Sequence, residues 1–325
     1  MPYAFATMKG AITLQRWRGL EPINGRVARA RESLLARAGE NAVILGPARI
    51  EKWLSRLPQY DRTRPYRQLK PSLDALDAEL SGAYGERAAL LVALGMLLHL
   101  VATHESRWSR DSLDAELQPD FVDSFHRILD AAERGGSTSM RMNRDNFAKD
   151  LAICLHRLIP AGGQLVDPGA GVPRSILLRP PPTALARKAW YMLVACGGFA
   201  PFAEFHTHER MRYLFTPEGW EYCFRRLPAV FRCYPELKGV FAASWFFDPK
   251  VPSISPALSF VRDVSERWGG LIMREGIDPG ATADALVMSA ERRELQAQGR
   301  YQPVRYVMVA AKSRILARAR ELGLA

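Results

Sequence analysis

Between Ala88 and Ala102 the chain carries a run of uncharged residues, AALLVALGMLLHLVA. A run of this length falls short of the roughly 18 apolar residues that a membrane-spanning helix needs. It must therefore be buried by other elements of the same chain, and it predicts a core helix. A chain of 325 residues with 48% hydrophobic side chains has enough apolar material to surround it. No membrane partner is expected.

The flanking sequence continues with helical spacing. Residues 26–56 place apolar side chains three and four apart, with breaks at Gly39 and Gly46-Pro47, and residues 71–107 and 121–134 do the same. The cluster Gly135-Gly136-Ser137-Thr138-Ser139 interrupts this pattern and marks a boundary. The expected organisation is a helical N-terminal region, 1–135, followed by an α/β region, 140–325. In the second region a helix over 146–159 gives way to residues 164–182, where short strand-like runs mix with Pro and Gly. Val166-Asp167-Pro168-Gly169-Ala170-Gly171 reads as an ordinary loop, and Thr183 as the cap of the helix that follows.

From residue 199 strands and helices alternate. FAPFAEFHTH is strand-like, and Thr216-Pro217-Glu218 is a helix start with a hydroxyl cap, a first-position proline and an acid in the first turn. Gly239–Phe247 reads as a buried strand, Ser255-Pro256 opens a helix, and residues 271–275 form a short strand. Ser289 caps a helix ended by Gly299, residues 303–310 form a closing strand, and a basic helix ends the chain. Strands separated by helices imply a layered α/β sheet.

Of the 45 basic residues only eight are lysines, against 34 acids, so arginine carries the formal charge of +11. Guanidinium groups suit carboxylate and phosphate, which admits an anionic small molecule, an acyl carrier or nucleic acid as partner. No single basic run is dense enough for a nucleic-acid arm. Cys154, Cys196, Cys223 and Cys233 lack the spacing of a zinc knuckle, and reduced thiols fit best. Residues 1–19 lack the apolar stretch and cleavage site of a secretory leader, so a cytoplasmic location is expected.

The chemistry centres on Glu204-Phe205-His206-Thr207-His208-Glu209. On a strand, alternate residues share a face, so Glu204, His206 and His208 would project together. Two imidazoles and a carboxylate can act as general base and orienter. They can also hold zinc or iron, with Glu209 or Asp248 as a further ligand. Asp248 stands before Pro249 at a strand end, where it either faces a cleft or forms a turn, and Ser244 nearby is a candidate substrate contact. Ser289, Arg292 and Arg293 gather at a helix N-terminus where cations are unfavourable, so a bound phosphate or pyrophosphate would resolve the conflict, reinforced by Arg305. Pairing of these arginines with Glu291 and Glu294 is the structural alternative.

The order of elements from Gly239 to Ala310, closing with Gln298-Gly299-Arg300-Tyr301 and the strand from Val304, resembles the second half of the GNAT acyltransferase fold. The likeness covers about a quarter of the chain. Two phrases, FHTHERMRYLFTPEGW and SWFFDPKVPSISPALSFVR, are also similar to stretches of bacterial proteins. The GNAT resemblance implies a mixed-sheet α/β region and an acyltransferase. Its donor would be acyl-CoA or an acyl-carrier phosphopantetheine. The family's pyrophosphate pattern, Q/R-x-x-G-x-G/A, does not occur at Asp248–Ser253, so a carrier protein or a tRNA is equally admissible as the bearer of the acyl group. In this reading His206 or His208, aided by Glu204, is the base, and backbone N–H groups of residues 242–245 lie near the oxyanion. A metal-dependent enzyme and a non-enzymatic binder of nucleic acid or of an acidic partner are the alternatives.

Overall fold

The computed structural model describes residues 23–59, 64–179, 181–287 and 289–324. The reading of residues 1–19 lies outside them. The N-terminal half is helical, as the spacing predicts: α1 (Ile23–Ala38), α2 (Pro47–Leu54), α3 (Lys70–Tyr84), α4 (Glu86–Ala102), α5 (His104–Asp111), α6 (Gln118–Glu133) and α7 (Asp145–Cys154). Pro47 sits in the first turn of α2, where its missing N–H has no intrahelical role. Eleven of the 17 residues of α4 are buried, on all sides of the helix, because α1, α2, α3, α6 and α7 pack around it. The apolar run is thus a central core helix. Among the described residues no helix is long and apolar enough to cross a membrane.

The second half builds a six-stranded mixed sheet from β1 (Ile159–Ala161), β2 (Gln164–Ala170), β3 (Phe202–His206), β4 (Gly239–Ser244), β5 (Gly270–Gly276) and β6 (Arg305–Ala311), in the order β1-β2-β3-β4-β6-β5. All neighbours are antiparallel except β3 and β4. That parallel pair needs a crossover, which is α9 (Pro217–Cys233), while α8 (Leu185–Trp190) lies in the long connection from β2 to β3. Thr216 caps α9 as expected, its hydroxyl accepting from the Gly219 N–H at 3.1 Å. After β4 come α10 (Val251–Ile254), α11 (Phe260–Arg267), α12 (Pro279–Val287) and α13 (Ala290–Ala297), and α14 (Lys312–Glu321) follows β6.

Strand alternation divides the core between two faces. Val166, Ala203, Phe205, Val240, Ala242, Met308 and Ala310 join Trp220, Phe224 and Leu227 of α9, Ile315 of α14 and the N-terminal helices in one large cluster. This core runs unbroken past the turn at Gly135 and Gly136, whose φ values of 84° and 73° suit glycine. Phe202, Phe241, Val307, Val309 and Met273 point the other way, against Val172, Ile176, Tyr191 and Met192.

Several local expectations change. Residues 164–170 form β2 and not a loop, the irregular Pro168-Gly169 step being absorbed as a register shift between Asp167 and Ala170. Thr183 does not cap a helix. A tight turn over Pro182–Ala184 leads into α8, whose N-cap Ala184 makes no side-chain bond, and α8 passes into a π-turn at Tyr191–Ala195. The strand expected over Gly239–Phe247 ends at Ser244, because Trp245–Phe247 turn away as a 3₁₀ segment.

Candidate functional site

β2 and β3 place Asp167 opposite Glu204, so two carboxylates share one sheet face, and His206 stands two residues further along the same face. His206 Nε2 lies 3.6 Å from Glu204 Oε2 and 3.7 Å from Asp167 Oδ2. These distances permit charge attraction but exceed hydrogen-bond length, and the buried Nε2 atom has no hydrogen-bond partner. Glu204 is the member with an opening to solvent, its side chain 17% exposed against 6% for His206 and 2% for Asp167.

The segment before α3 closes this cluster. The Tyr66 ring meets the His206 ring edge to face, centroids 5.0 Å apart. The Tyr66 N–H donates to Asp167 Oδ2 at 2.9 Å, and the Gly169 N–H donates to its Oδ1 at 3.0 Å, which explains how a carboxylate 1% exposed is tolerated. Gly169 allows this approach: a Cβ there would stand 2.2 Å from the Arg64 carbonyl oxygen. Tyr66 Oη donates to Asp145 Oδ1 at 2.8 Å, and burial followed by the Asp145 charge pushes the phenol pKa well up. Asp145 pairs with Lys149 at 2.6 Å, and Lys149 Nζ donates to the Thr207 carbonyl at 2.8 Å, which fixes the chain just beyond β3. Burial opposes the Arg67 charge, but Glu204, Tyr66 and Asp145 outweigh it and raise its pKa.

His208 does not share this face, contrary to the strand reading. β3 ends at His206, and His208 instead caps the 3₁₀ turn Glu209–Leu214, its Nδ1 accepting from the Arg210 N–H at 3.1 Å. Its Nε2 faces Asp150 Oδ1 at 3.1 Å, and both side chains are fully buried. Burial lowers the His208 pKa. Burial alone would raise that of Asp150, but Arg127, His208 and Arg210 hold it far below the usual carboxylate range. Glu209 accepts from Asn146 Nδ2 at 2.6 Å.

The proposed zinc or iron set therefore does not assemble from His206, His208 and Glu204, because β3 ends at His206 and His208 turns away to Asp150. Among the described residues no three His, Cys, Asp or Glu side chains are arranged to hold a metal ion.

The remaining expected residues have structural partners. Ser244 Oγ accepts from the Phe246 N–H at 3.2 Å. Asp248, 2% exposed, accepts from the Lys250 N–H at 2.9 Å and the Val304 N–H at 3.3 Å, so it is the turn-forming aspartate and also a tie to the approach of β6. Ser289 caps α13 as the sequence predicts, accepting from the Arg292 N–H at 3.2 Å. Arg292 turns inward, donating to the Ala285 carbonyl and, at 2.9 Å, to Ser255 Oγ, with its guanidinium 4.7 Å from the Trp245 ring centre. Arg293 donates to the Leu286 and Val287 carbonyls at 2.8 and 3.2 Å, and Arg305 pairs with Glu275 at 3.1 Å. The Arg292 and Arg293 guanidiniums satisfy the carbonyls that end α12. They do not present the open donor set that a pyrophosphate requires.

Asp167, Tyr66, Arg67 and Asp145 are the members that sequence reasoning missed. Asp167 carried one usable signal, a carboxylate directly following Leu165 and Val166, but its Pro-Gly neighbours disguise it as a turn residue. No protein-family model, curated protein or solved structure matches the chain, so the site is read from its own residues.

Proposed function

We propose that the chain is an acyltransferase in which the Glu204–His206 pair is the general base. The observation that carries this reading is the unpartnered His206 Nε2 between two carboxylates, at the C-terminal end of a strand where the sheet opens. β3 and β4 are paired at Ala203↔Val240 and Glu204↔Phe241 and not beyond, so His206 and the Ala242–Ser244 stretch lie past the last rung. The carboxyl ends of parallel strands are where ligands settle in open α/β sheets.

The GNAT-like description of the C-terminal region draws its support from the element order β4, α10 and α11, β5, α12 and α13, β6, in which strands alternate with helical segments as in the resemblance.

In the reaction, the nitrogen or oxygen of an amine or hydroxyl acceptor bonds to the acyl carbon of a thioester or ester. Its proton passes to the Glu204–His206 pair, Glu204 being the exposed member, and the positive charge that forms on the imidazole is balanced by Glu204 and Asp167. The tetrahedral oxyanion lies near backbone N–H groups of residues 242–245. Collapse breaks the bond to the leaving thiolate or alkoxide, which takes the proton back from the pair. Because Arg292 and Arg293 are already engaged, no step is assigned to the phosphates of a CoA donor.

The test incubates the full chain with acyl-CoA and acyl-phosphopantetheine donors of several chain lengths and a panel of amines and alcohols, following release of thiol and the mass of the product. Transfer that falls by about 100-fold or more in His206→Ala is expected. Transfer with none of the donors, or His206→Ala turning over like the parent, overturns the assignment.

A further inference from the structure

The connection from β2 to β3 presents a surface that the proposed reaction does not use. Eleven large hydrophobic side chains are exposed among the described residues, and five of them, Leu178, Leu185, Trp190, Leu193 and Val194, fall within this one connection. Isolated exposed apolar residues are ordinary, but a grouped set marks an interaction surface. Trp190, Leu193 and Val194 are spaced three and four apart on α8 and its π-turn, so they form one outward stripe, 53%, 57% and 65% exposed.

The stripe stands on a firm base. On the inward side Lys188 donates to the Ile176 and Arg179 carbonyls, which fastens the Arg174–Leu178 turn beside α8. Tyr191 Oη donates toward the carbonyls of Gly269 and Val309 at 2.7 and 3.1 Å and accepts from the Ala311 N–H at 3.2 Å, locking the π-turn onto the sheet. Burying the stripe by collapse onto the sheet is prevented, because Tyr191 and Met192 already fill that side.

Its charge has one sign. From Pro168 to Ala203, 36 residues, there is no Asp or Glu, while Arg174, Arg179, Arg187 and Lys188 are all present. Arg174, Arg179 and Arg187 are exposed around the apolar stripe. Exposed Arg314 adds a further guanidinium, 5.0 Å from the centre of the Tyr191 ring, and Lys238 is tied to the Gly197 carbonyl at 2.6 Å.

We infer that this face docks onto an anionic lipid bilayer. A helical stripe whose apolar side chains protrude, with a tryptophan among them and arginines on the flanks, suits an interface where the apolar groups enter the acyl boundary and the guanidiniums remain at the head groups. This departs from the expectation of no membrane partner, which rested on the lack of a run long enough to span, because a helix lying in the interface requires no such run. The apolar part is small, so attachment needs both the side chains and the anionic head groups.

The experiment measures co-sedimentation of the full chain with vesicles of phosphatidylcholine alone and with about 30% phosphatidylglycerol, at roughly 0.15 M salt. Binding to the anionic vesicles and much weaker binding to the neutral ones are expected. The double variant L193D/V194D should weaken binding about tenfold or more, and R174E/R187E should do so independently. Val43→Asp, at a position 68% exposed on the other half of the chain, should leave it unchanged. Thermal unfolding of each variant verifies that it folds. Four results would each overturn the inference: no binding to anionic vesicles, equal binding to neutral ones, the same loss with Val43→Asp, or insensitivity to L193D/V194D. The last would mark nonspecific attraction by the +11 chain.

Discussion

His206 and His208 stand two residues apart, and their surroundings differ in kind. His208 is fully buried, its Nδ1 accepting from the Arg210 N–H and its Nε2 3.1 Å from Asp150 Oδ1, within an ion cluster that includes Arg127. His206 is buried nearly as deeply, but its Nε2 lies between two carboxylates at distances too long for a hydrogen bond. The difference comes from where β3 ends. One residue beyond the strand the alternation of faces is lost, and the side chain that would have joined the site becomes part of the packing between α6, α7 and the following turn. His208 belongs to a compact ion cluster with Asp150 and Arg127 that ties helices together, while His206 Nε2 stands short of both of its carboxylates and is open to a proton from an acceptor.

The largest expected effect lies on the His208 side. Asp150 has no exposure and stands 2.7 Å from Arg127, 3.1 Å from His208 and 3.8 Å from Arg210. Asp150→Ala leaves two half-buried guanidiniums without their carboxylate and should destabilise the fold by about 3 kcal/mol in urea unfolding. A loss below about 1 kcal/mol would mean that this pocket is not a tightly paired one, and the contrast with His206 would fail.

A second effect depends on pH. His156 is 1% exposed and bonded to Asp111 at 2.9 Å, with Arg107 and His104 nearby. Burial, the largest cause, lowers its pKa to about 4. The unfolded chain therefore takes up this proton first as pH falls. Stability from this group is complete above roughly pH 6.5 and is lost as pH falls to about 4. The loss is on the order of 3 kcal/mol. His208, also lowered by burial, acts in the same direction. His156→Asn removes the titration and tolerates the φ of 56° at this position, so its stability should vary less with pH over that window. An unchanged slope would place the titration elsewhere.

The fold was legible wherever one face of an element met one environment. The uncharged run of α4, the Thr216-Pro217-Glu218 start of α9 and the Ser289 cap of α13 are local signals, and each element forms where its signal lies. Half of the site was legible in the same way, because Glu204 and His206 are two apart on one strand. The other half depends on pairing across the chain. Asp167 is brought opposite Glu204 by strand register, and Tyr66 reaches His206 from a segment about 140 residues earlier. No spacing within one segment encodes either contact. The arginines of α13 misled for a related reason: the conflict between cations and a helix N-terminus is genuine, but the carbonyls at the end of α12 resolve it, and they are distant only in the sequence pattern.

That resolution predicts a smaller effect. Arg292→Ala loses the bonds to the Ala285 carbonyl and Ser255 Oγ and the contact with Trp245, and should lower stability by about 2 kcal/mol. Binding of pyrophosphate to the full chain, followed by calorimetry, should be the same before and after the substitution. A binding loss specific to Arg292→Ala would restore the anion site and reverse the assignment of these guanidiniums.

The smallest expected change in stability is at His206 itself, where the comparison is sharpest. His206→Gln retains a polar side chain of similar reach but cannot accept and hold a proton. Because Nε2 makes no hydrogen bond, little is lost beyond the edge-to-face contact with Tyr66, and stability should move by less than about 1 kcal/mol. The rate of acyl transfer should nevertheless fall by about 100-fold or more, with the loss in kcat and not in KM. His208→Gln should show the reverse order, a clear loss of stability with the residual rate of the folded fraction near that of the parent. If both variants lose stability alike, the open nitrogen of His206 has no chemical consequence, and the two histidines are structural residues of one kind.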